Sequence, residues 1–227
     1  MSQKKAKVIA LDFDNCIVLD ENTRTGSEEL KEEAWLVVFS EHERNILAPA
    51  LEEAKKIVVG GKGDRKDIVK KICEHFGVPS DQIDAEVLRR CDHFNRVVQE
   101  SIKTINISKR THTALADLAS RAPLYVNTAT PRENVLESMD ALGLTQYFKA
   151  VLGRPGTKVG NLLEIIAAES IHPEELLFVD DQQGGYLAAT EVGCKFAGMH
   201  TAKNKLWHAV EQPFPIIHTL DELISSL

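Results

Sequence analysis

From residue 123 onward, short apolar runs alternate with stretches of helical period, and this alternation limits the chain's fold more than any other feature. The runs "PLYVN", "FKAVLG", "ELLFVDD" and "CKFAGM" read as strands. Between them, "PRENVLESMDALG", "KVGNLLEIIAAES" and "GYLAATEVG" read as helices, and a last strand and helix are expected in "FPIIHTLDELISSL". Stop signals sit at Gly143 and Gly193, and start signals at Pro131 and at Thr219 with Glu222 three residues on. Strand-helix alternation of this kind predicts an α/β fold, a Rossmann-like parallel sheet with helices on both faces. Right-handed crossovers then place ligand sites at the carboxyl ends of the strands.

The segment "KVIALDFDNCIVLD", residues 7 to 20, adds a strand near the N-terminus and ends it in Asp12 and Asp14. A strand covered on both faces seldom runs into carboxylates unless they are paired, solvated or bound to metal. A single Asp after a strand is ordinarily a turn residue. Here, however, Thr128, Lys158, Asp180 and Asp181 also follow strands, so the topology brings all of them to one sheet edge. Their joint occurrence favours an active site. Cys16 lies beside the acidic pair without an evident His partner and reads as a small buried residue.

Between the first strand and residue 107 the pattern is helical throughout, with apolar stripes such as Ile68, Ile72, Cys73 and Phe76. The chain of 227 residues is long enough for a core domain, residues 1–18 and 107–227, with a helical insert over 19–106. A net charge of -7 argues against a broad nucleic-acid footprint. No apolar run approaches membrane-spanning length, and "MSQKKAKVIA" carries charge without a signal-like apolar stretch. Four cysteines in neither zinc nor disulfide spacing suit a reducing compartment, so a cytoplasmic location is expected.

The ordered segments "DFDNC", "VNTATPRENVLESMDALGL", "GTKVGNLLEII" and "LLFVDDQQGGYLAATEVG" resemble the haloacid dehalogenase superfamily, in particular phosphatase-like members with a helical cap inserted after the first strand. The resemblance implies Asp12 as nucleophile and Asp14 as general acid and base. It implies Thr128, Ala129 and Lys158 as phosphate binders, and Mg²⁺ held by Asp12, Asp14 through its carbonyl, and Asp181 with Asp180. A small phosphorylated metabolite is the implied substrate, with the helical insert deciding specificity. Because Asp14 could protonate a leaving alkoxide, phosphoryl chemistry is favoured over dehalogenation. A sugar-phosphate mutase and a catalytically weak binding protein on the same fold are the alternatives.

Three positions depart from the family pattern. Asn15 and Cys16 stand where Gly-Thr or Gly-Val is usual, and Asn is the non-glycine residue that best tolerates positive φ. Gly185 stands where a further acid is common. In the insert, "VVGGKGDRKDIV" reads either as a plain turn or as a specificity loop presenting Lys62 and Arg65 to the substrate.

Overall fold

The structure is a computed structural model that describes residues 5–20, 23–58, 63–202, 204, 207 and 211–226. Lys62 lies outside the described residues. The chain divides into two compact units, one of Met1–Glu28 with Ile102–Leu227 and one of Glu29–Ser101.

The first unit is built on six parallel strands, β1 (Val8–Leu11), β2 (Leu124–Pro131), β3 (Ala150–Arg154), β4 (Leu176–Asp180), β5 (Lys195–Met199) and β6 (Ile216–Ile217). Their order in the sheet is β3-β2-β1-β4-β5-β6. The chain therefore leaves β1 in one direction and returns to β4 on its other side. That reversal opens a crevice at the carboxyl ends of β1, β2 and β4.

Helices α1 (Ser27–Val38), α2 (Arg44–Lys55), α3 (Arg65–His75) and α4 (Ile83–Lys103) precede β2. The later helices α5 (Lys109–Arg121), α6 (Arg132–Ala141), α7 (Lys158–Glu169) and α8 (Gln183–Val192) alternate with the strands and cover both faces of the sheet. On one face, Leu162 and Ile165 of α7 and Ala188 and Ala189 of α8 pack on Val8, Ala10, Tyr125 and Phe178. Each large side chain so covered stabilises the fold by about 1.5–3 kcal/mol, enough to hold a sheet edge rigid beneath a charged site.

One expected element takes another form. The segment after β6 is a 3₁₀ helix over Leu220–Ser226 and not an α-helix. Its buried residues Leu220 and Leu223 are three apart, the repeat of a 3₁₀ turn. The Glu222 carboxylate still reaches back to the Thr219 amide at 2.9 Å, as the sequence signal promised.

The second unit is helical among its described residues. Leu47, Leu51 and Ala54 of α2 and Ile68, Val69 and Ile72 of α3 are buried, and a capping box between Asp64 and Asp67 starts α3. No described helix is long and apolar enough to cross a membrane.

Candidate active site

The end of β1 is tied into the sheet by the Asp12 amide, which donates to the Val179 carbonyl at 2.8 Å. Phe13 is fully buried in the turn that follows β1, its carbonyl accepting the Ile17 and Val18 amides, and this turn sets the chain direction between Asp12 and Asp14. Asn15 adopts φ of +55°, the left-handed conformation that its side chain tolerates best, and its Oδ1 accepts the Glu28 amide at 3.0 Å. The turn therefore survives without glycine. Both Asp14 oxygens are held by hydroxyls, Oδ1 by Ser27 at 2.6 Å and Oδ2 by Thr130 at 2.5 Å.

Midway along β2, where its pairing with β3 becomes irregular, two buried amides lock strand to helix. The Asn127 Nδ2 donates to the Lys158 carbonyl at 3.1 Å, and its Oδ1 accepts from Asn161 at 2.9 Å. Thr157 caps α7 by accepting the Gly160 amide at 3.0 Å. These bonds fix the first turn of α7 and so aim Lys158, whose Nζ lies 3.3 Å from Asp12 Oδ2 and bonds Asp180 Oδ2. Thr128, buried next to Asn127, lies within β2, which runs on to Pro131 and not only to Asn127 as the sequence suggests, and it accepts the Thr130 amide at 3.2 Å.

Asp180 and Asp181 end β4. Asp180 is fully buried with both oxygens engaged, Oδ2 by Lys158 and Oδ1 by the Gln182 amide at 2.9 Å. In contrast, Oδ1 of Asp12 and Oδ1 of Asp181 are buried with no hydrogen-bond partner among the described residues. One oxygen each from Asp12, Asp180 and Asp181 lies within 4.8 Å of the others. Burial raises the Asp12 carboxyl to about 7 against the lowering influence of Lys158, and burial with the nearby Asp180 and Asp12 raises Asp181 to about 9. Asp180 is raised by burial as well, against the pull of Lys158. For Lys158, burial works to neutralise it, yet Asp12 and Asp180 hold it above the ordinary lysine value. One ammonium thus faces three buried carboxylates. The excess negative charge and the two orphaned oxygens fit a hard divalent cation such as Mg²⁺.

A family described as haloacid dehalogenase-like hydrolase matches residues 65–199, more than half of the chain. The chain belongs to the haloacid dehalogenase-like hydrolases. Phosphoglycolate phosphatase of Escherichia coli (strain K12) is 30% identical over 118 residues, which span 48% of this chain and only 46% of that protein. Among solved structures, a haloacid dehalogenase-like family hydrolase from Streptococcus pneumoniae overlays with a TM-score of 0.66 at 18% identity, covering 99% of both chains. The chain assigned as HAD-hydrolase YfnB from Bacillus subtilis, in a magnesium-bound crystal structure, overlays at 0.71 and 15%, covering 98% of both. At such identities the overlays show the fold.

The family match includes Thr128, Lys158, Asp180 and Asp181 of this haloacid dehalogenase-like hydrolase but stops short of Asp12 and Asp14, so those two rest on geometry. The structure brings Asp12, Asp14, Thr128, Lys158, Asp180 and Asp181 to one edge. Ala129 lines a cavity of about 410 Å³ together with Lys158, Thr157 and Gln182. Arg65 belongs to the second unit, where its guanidinium lies 4.2 Å from the centroid of the Phe94 ring and bonds Asn95. Cys16 is buried with Sγ 3.8 Å from the Val179 carbonyl, and burial with the adjacent acids pushes its thiol well up, away from nucleophilic use. Sequence reasoning missed Ser27, Thr130, Asn127, Asn161 and Asn204, whose Nδ2 donates to the Asp181 carbonyl at 3.1 Å. The readable signal was Asn127, a polar residue inside an apolar strand, since a buried amide demands partners.

Proposed function

We propose that the chain is a Mg²⁺-dependent hydrolase of small phosphate monoesters that works through a phosphorylated Asp12. The observation that carries this reading is the Asp12 carboxylate, held by Lys158 through one oxygen while the other is left without a partner, with a second, separately clamped acid two residues on.

In the first half-reaction an Asp12 oxygen forms a bond to phosphorus, the bond to the leaving oxygen breaks, and Asp14 gives that oxygen its proton. In the second, Asp14 takes a proton from water as the water oxygen attacks phosphorus, freeing Asp12 and inorganic phosphate. Lys158 and the Thr128 hydroxyl, with the main chain at Ala129, bind the phosphoryl oxygens and offset their charge. Asp12, Asp181 and the Asp14 carbonyl would hold Mg²⁺, which when bound neutralises charge on the phosphoryl group. Similarity to phosphoglycolate phosphatase supports a small phosphorylated substrate. The helical unit, with Arg65 and Lys62, is the part proposed to select it. Transfer to a second sugar hydroxyl would need water excluded from phospho-Asp12, so hydrolysis is the simpler reading.

The test is release of inorganic phosphate from a panel of phosphorylated metabolites that includes 2-phosphoglycolate, with and without Mg²⁺. Beryllium fluoride with Mg²⁺ should be found bonded to Asp12. Folded protein that releases no phosphate from any ester would rule out this function and favour a binding role on the same fold.

A further inference from the structure

Lys158 is useful only if its ammonium is aimed, and a long side chain needs a partner to stay aimed. Its partner is Asp180, which has no exposed surface and commits one oxygen to Lys158 and the other to the Gln182 amide. A carboxylate buried this completely must find room, and the room comes from the facing turn of α8. A Cβ at Gly185 would fall 2.1 Å from Asp180 Oδ2, 2.3 Å from its Cγ and 2.5 Å from its Cβ. No heavy-atom neighbour is tolerated at such distances, and neither side can yield, because Asp180 ends a central strand and Gly185 sits inside a helix. Backbone conformation does not demand this glycine, since Gly185 is not among the positive-φ residues. The adjacent Gly184, an exposed residue on the same helix, has nothing within 4 Å of its own Cβ position.

We infer that Gly185 is a positioning residue for the proposed reaction: the volume its missing Cβ leaves is occupied by the Asp180 carboxylate, which there holds Lys158 beside Asp12. The two acids at the end of β4 then divide their work. Asp180 serves the lysine, and Asp181, with its unpartnered oxygen, serves the cation. The inference rests on the phosphate-binding reading of Lys158, so its test reads binding separately from turnover.

Calorimetry measures the affinity for inorganic phosphate at saturating Mg²⁺, and, separately, the affinity for Mg²⁺ alone. Gly185→Ala should weaken phosphate binding and lower kcat/KM for an ester by about ten-fold or more, as expected when a charged hydrogen bond is misaligned. Its Mg²⁺ affinity should stay within about two-fold of wild type, and Gly184→Ala should match wild type in both. If Gly185 acts through Asp180, adding Gly185→Ala to Asp180→Gly should cost nothing beyond Asp180→Gly itself, and this comparison stands even where Gly185→Ala alone folds poorly. Equal behaviour of the two glycine variants, a further large loss in the double variant, or a Mg²⁺ defect in Gly185→Ala would overturn the inference. A wild-type protein that binds Mg²⁺ but neither phosphate nor ester would instead overturn the proposed function, and the inference with it.

Discussion

Two clusters of buried charge, one in each unit, behave in opposite ways. In the helical unit, Arg90 is buried with each of its three side-chain nitrogens bonded: it donates to the Val38 carbonyl and to Glu86, each at 2.6 Å, pairs with Glu41, and stacks over Phe39 at 4.3 Å. Its acids are held below their ordinary values, Glu86 at about 2 through hydrogen bonds to Arg89 and, against burial, Arg90. Glu41 is lowered too, the Arg90 contacts outweighing burial. At the sheet edge the sign reverses, with Asp12, Asp180 and Asp181 all raised by burial. The first cluster contributes stability as it stands. The second costs stability until something positive arrives, which is how a site built for a ligand differs from a cluster built for folding.

The largest effect expected is on turnover. Asp12→Asn should lower phosphate release by at least about a thousand-fold, since it removes the atom proposed to attack phosphorus. The same change relieves repulsion among buried acids, so in chelator the variant should melt no lower than wild type. Loss of activity together with a clearly lower melting temperature would break the contrast drawn above, because Asp12 would then be serving the fold.

Next comes Arg90→Met, which leaves the Val38 carbonyl and Glu86 without their buried partner. A loss of about 1–3 kcal/mol in denaturant-measured stability is expected, because Glu86 keeps its bonds to Arg89 while the Val38 carbonyl is orphaned. The pH dependence sharpens the comparison. A carboxylate with a lowered folded pKa contributes fully above its unfolded value and loses that contribution as pH falls through the folded one. Wild type should therefore shed part of its stability as pH falls from about 4.5 toward 2, and Arg90→Met should shed less over that window. Indistinguishable pH profiles would mean that this cluster does not anchor the helical unit.

A smaller effect, about ten- to a hundred-fold, is expected in the Mg²⁺ requirement of Asp181→Ala. Asp180→Ala should leave that requirement nearly unchanged and weaken phosphate binding instead. Calcium should compete with Mg²⁺ and inhibit, its looser coordination suiting the same oxygens with less exact placement. Equal Mg²⁺ defects in the two variants would show that both strand-end acids face the cation.

How far the sequence reached follows from the range of each signal. Strand ends are local, so the alternation after residue 123 located Thr128, Lys158, Asp180 and Asp181, and the acidic pair after Val8–Leu11 stood out beside its apolar run. The partners that aim these groups are not local. Ser27 and Thr130 meet at Asp14 from 13 and 116 residues away, and Asn161 meets Asn127 across 34. No periodicity records such meetings. The role of Gly185 was similarly hidden, because its departure from the family pattern showed an acid missing but not the Asp180 carboxylate filling the space. For Arg65 the glycine-flanked setting was visible, while its contact with Phe94, 29 residues on in sequence, was not.

The smallest effect expected is also the most selective. A carboxyl that gives up and regains a proton needs neighbours that suit both states, and a hydroxyl can donate to the ionised form or accept from the protonated one. Ser27 and Thr130 supply two hydroxyls to Asp14, where Arg90 supplies its acids with donors only. Loss of one neutral hydrogen bond is worth about 1 kcal/mol, or roughly five-fold in rate. That loss should appear when the leaving group is an alkoxide that needs the proton, and fade with a nitrophenolate that leaves without it. Thr130→Val and Ser27→Ala should therefore each lower kcat/KM for alkyl phosphates about five-fold and leave nitrophenyl phosphate nearly unchanged, while Arg90→Met scales both substrates alike. A uniform loss on both substrates in the hydroxyl variants would place Ser27 and Thr130 with Arg90, as supports of the fold and not of the proton transfer.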